Sequence, residues 1–510
     1  MPKTALTQEQ ISTDLKLLEP AVDGLYASFR SNKAGRGGLT FSLLGLDESK
    51  QGIVQMMDAS QAGFDNYDGM LNPTSAQIDE LWTRRLPTIH SAALCIAGLD
   101  ALTKQTADTE TETLAKLTDL KAHACFVRAL TMFELTMYFG RVPVQEIADL
   151  NSPEQDLSLR PLPEVWAQIA RDFEYASQNL PLGPQKTDRA TKGAALAMLG
   201  KTYMYAPEES TYRDFQKAAD CFKQVMDLPI SPKYNVSTSY SLLFDEWGGV
   251  EFDKPESVYE IDYKPNSQGP NFWQWDMGSR TLAALGEPCY IGGYDVALPT
   301  EYAYKMQADG GVWEEGDKRR EVSIRYDFTY NGKTYDVVAW GADELDPHIK
   351  KWEDRRVDKF STAEQAKEAI SGRSFYYSGK NYMMIRFADV LLCYAECLNE
   401  LGQTAAAVTE VNKVRRRAFE DNAHAWNSAM SQADFRVNIL DERLRELCFE
   451  GWRRMDLIRT GKFVELISER NPWAKEKGTI RDYHVRFPIP NNEILTNPQI
   501  SREDQNDGYN

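Results

Sequence analysis

The chain of 510 residues is 42% hydrophobic and 26% charged, enough apolar material for a sizeable core, and its length fits roughly three domains or one large helical assembly. Its 76 acidic residues outnumber 58 basic ones, and the formal charge of −18 excludes nucleic acid and anionic membrane surfaces, both of which need a positive footprint. The seven cysteines show no zinc spacing. Cys393 and Cys397, an i,i+4 pair on one helix, are poorly placed for a disulfide, and Cys95, Cys125 and Cys448 read as small apolar fillers. Unpaired thiols lean towards a reducing compartment or towards free cysteines in an exported protein. No stretch is expected to reach the apolar length that spans a bilayer. The opening MPKTALTQEQ has no apolar h-region, which reads as a cytosolic protein or as a mature chain whose export signal is gone.

In the first half, residues 12–30, 76–101, 112–140 and 163–180 carry apolar positions at three- and four-residue spacing and read as helices, parted by Pro, Gly and Asn clusters. A helix pair follows over 192–229. Leu196, Leu199, Gly200 and Tyr203 hold the spacing of a tetratricopeptide first helix, Ala218 and Phe222 that of the second, and Pro229 closes it. Between about 230 and 380 the helical period fades and aromatic, Gly, Asn and Pro residues accumulate. Short β-branched pieces at Ser257–Tyr263 and Thr334–Trp340, with a hairpin turn at Asn331-Gly332, point to an irregular insertion, and such insertions are more often functional than decorative. The repeat template then returns without a gap at Leu391, Tyr394, Ala395 and Leu398, followed by Ala407, Val411 and Val414. The small residues Gly200, Ala395 and Ala407 let paired helices approach closely. The basic run Lys413, Arg415, Arg416 and Arg417 reads as a helix end whose carbonyls favour cations, with a polyanion site as the alternative.

Residues 441–462, DERLRELCFEGWRRMDLIRTGK, read as one helix with an apolar face at Leu444, Leu447, Cys448, Met455, Leu457 and Ile458. Glu442, Arg443, Glu446, Glu450, Arg453, Arg454, Asp456 and Arg459 wrap most of its remaining circumference. Arg386, Asp389 and Glu396 form a complementary stripe, so interhelical ion pairs that dock the C-terminal helices are expected. Hydrolysis by Asp389, Glu396 and Glu450 is the sharper alternative. There is no P-loop, nucleotide-binding glycine fingerprint, G-x-S-x-G or H-E-x-x-H. The five histidines are scattered, and His90 and His123 read as partly buried polar residues. Trp82, Trp166 and Trp452 read as core. The fold expected is mostly α, a single domain over 1–510. Its tetratricopeptide-like scaffold covers about 12–229 and 381–465, with an insertion over about 230–380 and an extended tail over 466–510.

Five stretches carry a family likeness in order: RALTMFELTMYFGRVPV (128–144), TKGAALAMLGKTYMY (191–205), MMIRFADVLLCYAECLNELG (383–402), the charged string at 441–462, and RFPIPNNEILTNPQISREDQNDGY (486–509). Together they resemble the SusD/RagB family of outer-membrane nutrient-binding lipoproteins, with Phe387 and Cys397 as mild departures from its pattern. The resemblance implies a non-catalytic surface protein that captures oligosaccharide and delivers it to a SusC-like, TonB-dependent outer-membrane transporter. It also implies a lipid-anchored location on the extracellular face and no cofactor or metal. A peptide-binding member of the same family, a helical glycoside hydrolase and a purely protein-binding repeat scaffold stay open.

The resemblance places the ligand in a shallow site built from loops near the first repeats and from the insertion, without a motif for the contact residues. Sugar rings show an apolar C–H face and a rim of hydroxyls, so recognition needs an exposed aromatic with polar side chains beside it. The segment Asn271–Asp276 supplies Trp273 and Trp275, which share a face if extended, with Arg280, Tyr290 and Tyr294 downstream. GFDNYDG offers Asp65, Asn66 and Tyr67. The alternative at each position is an aromatic buried to pin the insertion onto the helices.

Overall fold

The computed structural model describes residues 14–57, 59–147, 156–183, 188–236, 239–245, 255–263, 271–280, 293–326, 329–330, 333–334, 346–353 and 378–509. The chain divides into two compact units. In the first (Met1–Asn32, Ile78–Lys233 and Arg486–Asn510), helices Leu86–Gln105, Thr111–Phe139, Leu162–Asn179, Lys192–Tyr205 and Phe215–Asp227 pack each against the next. From Ala122 to Phe139 every residue is buried, as expected of a helix with neighbours all round. Thr191 and Asp214 start the repeat pair by accepting from the amides of Ala194 and Lys217. Gly200 is required there: a Cβ would lie 2.7 Å from the Phe222 ring. This is the tetratricopeptide-like α architecture.

Two expectations change here. An 18-residue window within Ala76–Gln105 reaches mean hydropathy 1.3, long and apolar enough by composition to cross a membrane. The chain turns at Arg84-Arg85 inside this stretch, and Ile89, Ala92, Ala93 and Leu99 are buried, as in the core helix of a bundle. The stretch 466–510 is not extended but carries the short helices Pro472–Lys477 and Asn491–Thr496.

The second unit comprises Lys33–Gln77 and Tyr234–Val485. Its helices Phe387–Glu400, Thr404–Phe419 and Gln432–Leu447 pack together. Strands pair only two by two among the described residues: Ser257–Ile261 with Tyr382–Arg386, Ser49–Lys50 with Leu298–Pro299, and Ile324–Arg325 with His348–Ile349, all antiparallel. Thr329–Tyr330 pairs with Lys333–Thr334 around Asn331-Gly332; that dipeptide, and the continuation to Trp340, lie outside the described residues.

Residues 441–462 are not one helix. Helix Gln432–Leu447 ends at Cys448, and a second helix, Arg453–Arg459, begins after a break in which Phe449 (φ +62°) and Gly451 (φ +84°) turn the chain back. The break lets charges from both helices converge inward. Arg319, Arg386, Arg415, Arg417, Arg445 and Lys351 face as many carboxylates, those of Glu256, Glu314, Asp317, Glu442, Glu446 and Glu450. Arg386 caps the helix Phe387–Glu400 and pairs with Glu446 at 2.9 Å and Glu450 at 2.9 Å, so it does not share a stripe with Asp389 and Glu396. Those two belong to a second group: Arg443 pairs with Asp389 at 3.0 Å and Asp456 at 2.8 Å, and Arg459 pairs with Glu396 at 2.8 Å. Arg453 is held by Asp47 at 2.6 Å. Arg415 and Arg417 therefore point inward rather than to a polyanion or a bare helix end. Asp389, Glu396 and Glu450 are each met by a guanidinium in the interior.

Burial alone would raise the Glu446 carboxyl, but the guanidiniums of Arg417, Arg386 and Arg319 outweigh it and hold it at about 2. Glu48 behaves oppositely. Burial pushes it up to about 8 against the pull of Arg453, and one of its oxygens has no hydrogen-bond partner. The folded state therefore binds the extra proton between the ordinary carboxylate range and pH 8, so stability falls as pH rises through that window, by up to about 1.4 kcal/mol per unit. Glu48→Gln removes this dependence. Its denaturant midpoint should gain on the wild type from pH 5 to pH 8, and a constant difference would show that Glu48 does not titrate there.

Candidate functional site

The irregular segment folds as a short helix, Trp273–Met277, laid on the chain that follows helix Leu15–Ala34. Phe272 donates its amide to the Ala34 carbonyl at 3.1 Å, and the Trp273 indole Nε1 donates to the Lys33 carbonyl at 3.0 Å. Residues 293–296 run alongside: the amides of Tyr294 and Val296 donate to the carbonyls of Trp275 and Asp276 at 2.8 and 2.7 Å. A Cβ on Gly293 would collide with the Trp275 carbonyl, so only glycine allows this approach. Gln55, from the turn Ile53–Met56, donates to the Tyr294 carbonyl at 2.8 Å.

Successive helical residues are about 100° apart, so Trp273 and Trp275 point in nearly opposite directions instead of sharing a face. Trp273 is fully buried, edge-on to Tyr263, Trp352 and Tyr382 with centroids 5.0–5.4 Å apart. Trp275 is half-buried and meets Tyr294 at 5.2 Å and 87°. Tyr294 is 37% exposed, so the two rings form a corner open to solvent. The guanidiniums of Arg36 and Arg280 each lie 5.6 Å from the Tyr294 ring centroid, within cation–π range. Arg36 Nε donates to Asp276 Oδ1 at 3.0 Å, and Thr40 Oγ1 holds the other carboxylate oxygen at 2.9 Å. Ile53 and Met57 leave apolar surface exposed on the turn that carries Gln55.

Trp275, Arg280 and Tyr294 are thus brought together; Tyr290 lies outside the described residues. Of the GFDNYDG stretch, Asp65, Asn66 and Tyr67 are interior. Asp65 accepts from the Gln51 and Asn471 side chains at 2.7 and 2.8 Å, and burial pushes it up to about 6. Asn66 is buried, its carbonyl accepting from Thr479. Tyr67 donates to the Gly45 carbonyl at 2.6 Å and packs edge-on to Phe463 and His484. They pin the chain internally because their partners arrive from the far C-terminal sequence, which a local reading does not see. Sequence reasoning missed Arg36; an arginine bracketed by glycines at 35–38 was the available signal. Among the described residues no cluster of His, Cys, Asp and Glu could hold a metal, and the six described cysteines are buried.

Comparison with known proteins agrees with this architecture. Residues 256–509 match the model of the SusD family, and residues 9–204 match a related model described as starch-binding, associating with the outer membrane. SusD-like protein P2 of Formosa agariphila is 26% identical over 508 residues, spanning 96% of this chain and 92% of the relative. The starch-binding protein SusD of Bacteroides thetaiotaomicron is 23% identical over 452 residues, covering 79% and 74%. The solved structure of surface glycan-binding protein A from Bacteroides thetaiotaomicron, in complex with laminarihexaose, superposes with TM-score 0.73 at 19% identity over 96% of this chain and 99% of that one. With two matching models spanning most of its length and a fold shared end to end, the chain belongs to the SusD family.

Proposed function

We propose that this protein is a non-catalytic glycan-binding component of the outer-membrane surface, which captures an oligosaccharide at the Trp275–Tyr294 corner and passes it to a SusC-like, TonB-dependent transporter. The observation that carries the reading is the pair of perpendicular, partly exposed rings bordered by guanidiniums and by apolar Ile53 and Met57. Such a corner offers a C–H-facing surface with donors at its edge. The starch-binding relative, the laminarihexaose complex and the outer-membrane description of the matching model support glycan as ligand and the cell surface as place. The bulky ion-paired interior positions this corner and takes no part in bond cleavage. A lipid at the mature N-terminus would anchor the protein to the outer face of the membrane.

The test is affinity electrophoresis of the purified chain through gels containing starch, laminarin and a panel of other soluble polysaccharides, with a reducing-sugar assay alongside. Retardation by at least one polysaccharide without release of reducing ends is expected. Trp275→Ala should weaken that binding about tenfold or more, the loss typical of a central aromatic anchor. Unchanged retardation of the folded variant would remove the corner as the site.

A further inference from the structure

We infer that a second aromatic corner, formed by Tyr304 and Tyr326, is a further subsite that binds another sugar residue of the same glycan chain; this rests on the glycan-binding reading above and extends it along the ligand. The two rings meet nearly at right angles, 81°, with centroids 6.2 Å apart. Tyr326 is 43% exposed and Tyr304 is half-buried. The arrangement repeats that of Trp275 and Tyr294: a perpendicular pair, its outer ring open to solvent, with a guanidinium beside it. Here the guanidinium is that of Arg320, 4.4 Å from the Tyr326 ring centroid.

A lone exposed tyrosine would need no explanation. This one is held as a fixed plate. Its hydroxyl donates to the Tyr304 carbonyl and accepts from Arg320 Nη2 at 2.6 Å, while Arg320 Nε donates to the same carbonyl at 3.0 Å. Three elements converge there: the helix Glu301–Tyr304, the helix Arg319–Ser323, and the strand Ile324–Arg325, which Tyr326 follows. Tying them together requires only the hydroxyl, and an anchor gains by burying its ring. This ring stays partly in water with its orientation already fixed. A plate so restrained loses little conformational entropy when a sugar lays its C–H face on it. Glu301 and Lys305, paired with each other beside Tyr304, supply an acceptor and donors at the rim for sugar hydroxyls.

The two corners are joined by short links within one unit of the fold. Tyr326 follows Arg325, which pairs across strands with His348. His348 Nε2 meets Asp295 Oδ1 at 2.7 Å, and Asp295 follows Tyr294. The Cα atoms of Tyr294 and Tyr326 therefore lie within roughly 25 Å of each other, a span that an oligosaccharide of several residues covers. Once one sugar is seated against Trp275 and Tyr294, the contact at Tyr326 is intramolecular. Its gain then multiplies the first, so two individually weak stacking sites hold a long chain firmly and a short one loosely.

Affinity electrophoresis through gels containing starch, laminarin, xylan or alginate tests this on the wild type, Tyr326→Ala, Tyr326→Phe, Trp275→Ala and the double variant Trp275→Ala/Tyr326→Ala. Each protein is first checked for folding by circular dichroism. On the polysaccharide that retards the wild type, Tyr326→Ala should weaken binding about tenfold. Tyr326→Phe keeps the ring without the hydroxyl and should stay within about threefold of the wild type. The double variant should not be retarded. Retardation unmoved by Tyr326→Ala, or weakened as much by Tyr326→Phe, overturns the inference while leaving glycan capture standing. A loss in Tyr326→Ala with none in Trp275→Ala supports the Tyr304–Tyr326 subsite and removes the first corner instead. Retardation of the wild type by none of these polysaccharides overturns both.

Discussion

Arg386→Ala should cost about 3–5 kcal/mol of stability, the penalty for leaving buried carboxylates unpaired. Arg386 is 1% exposed and ties Glu446, Glu450 and Glu256, carboxylates that arrive from two separate stretches of chain. Removing it leaves their charges in the interior beside an empty volume. The network is not a net source of stability, since desolvating so many ions offsets most of their attraction; its effect is to specify how the elements dock. The pH dependence has a definite sign. Glu442 and Glu446 are held below the ordinary carboxylate range by the guanidiniums around them, despite burial. Their contribution is therefore fully present above the unfolded carboxyl's pKa and is lost as pH falls from that value towards about 2. Denaturant titrations at pH 7, 4 and 2 should show wild-type stability decreasing between about pH 4 and about pH 2, below the window in which Glu48 titrates. They should also show the Arg386→Ala deficit at pH 7. A variant as stable as the wild type at pH 7 would mean the pairs are not formed in solution.

Trp273→Ala should lose about 3–5 kcal/mol as well, as expected for removing a buried tryptophan from a packed core. Its indole fills the space between Tyr263, Trp352 and Tyr382 and satisfies the Lys33 carbonyl. The contrast with its neighbour is what matters. Trp273→Ala should lower the denaturant midpoint and leave the glycan affinity of the folded protein unchanged, whereas Trp275→Ala should do the reverse. Equal effects of the two substitutions on binding would show that the segment presents both indoles, as an extended piece would.

That contrast marks where the sequence was legible. The helical period and the repeat spacing were readable because they are local: Thr111–Phe139, Leu162–Asn179 and the repeat pairs fall within a residue or two of the expected bounds. The charged string around 441–462 was readable as an ion-paired stretch, but not its break. Phe449 adopts a left-handed conformation without being glycine, and it does so because its carbonyl is taken by the Trp352 indole and its amide by Glu48, both remote in sequence. The same cause misplaced Asp65, Asn66 and Tyr67. A loop rich in aromatic and polar residues resembles a binding loop until Asn471 and Thr479 are seen to satisfy it. Trp275, Arg280 and Tyr294 were picked from composition, yet their convergence depends on Gly293 closing against Trp275, and Arg36 joins them from the other end of the second unit's sequence.

A crystal structure of the protein with the oligosaccharide retained in the electrophoretic screen tests the central claim most directly. The account predicts a sugar ring against the Trp275–Tyr294 corner, with carbons within about 4 Å of an indole or phenol face and a polar substituent at Arg36. An ordered glycan bound elsewhere, with those two rings uncovered, would contradict it.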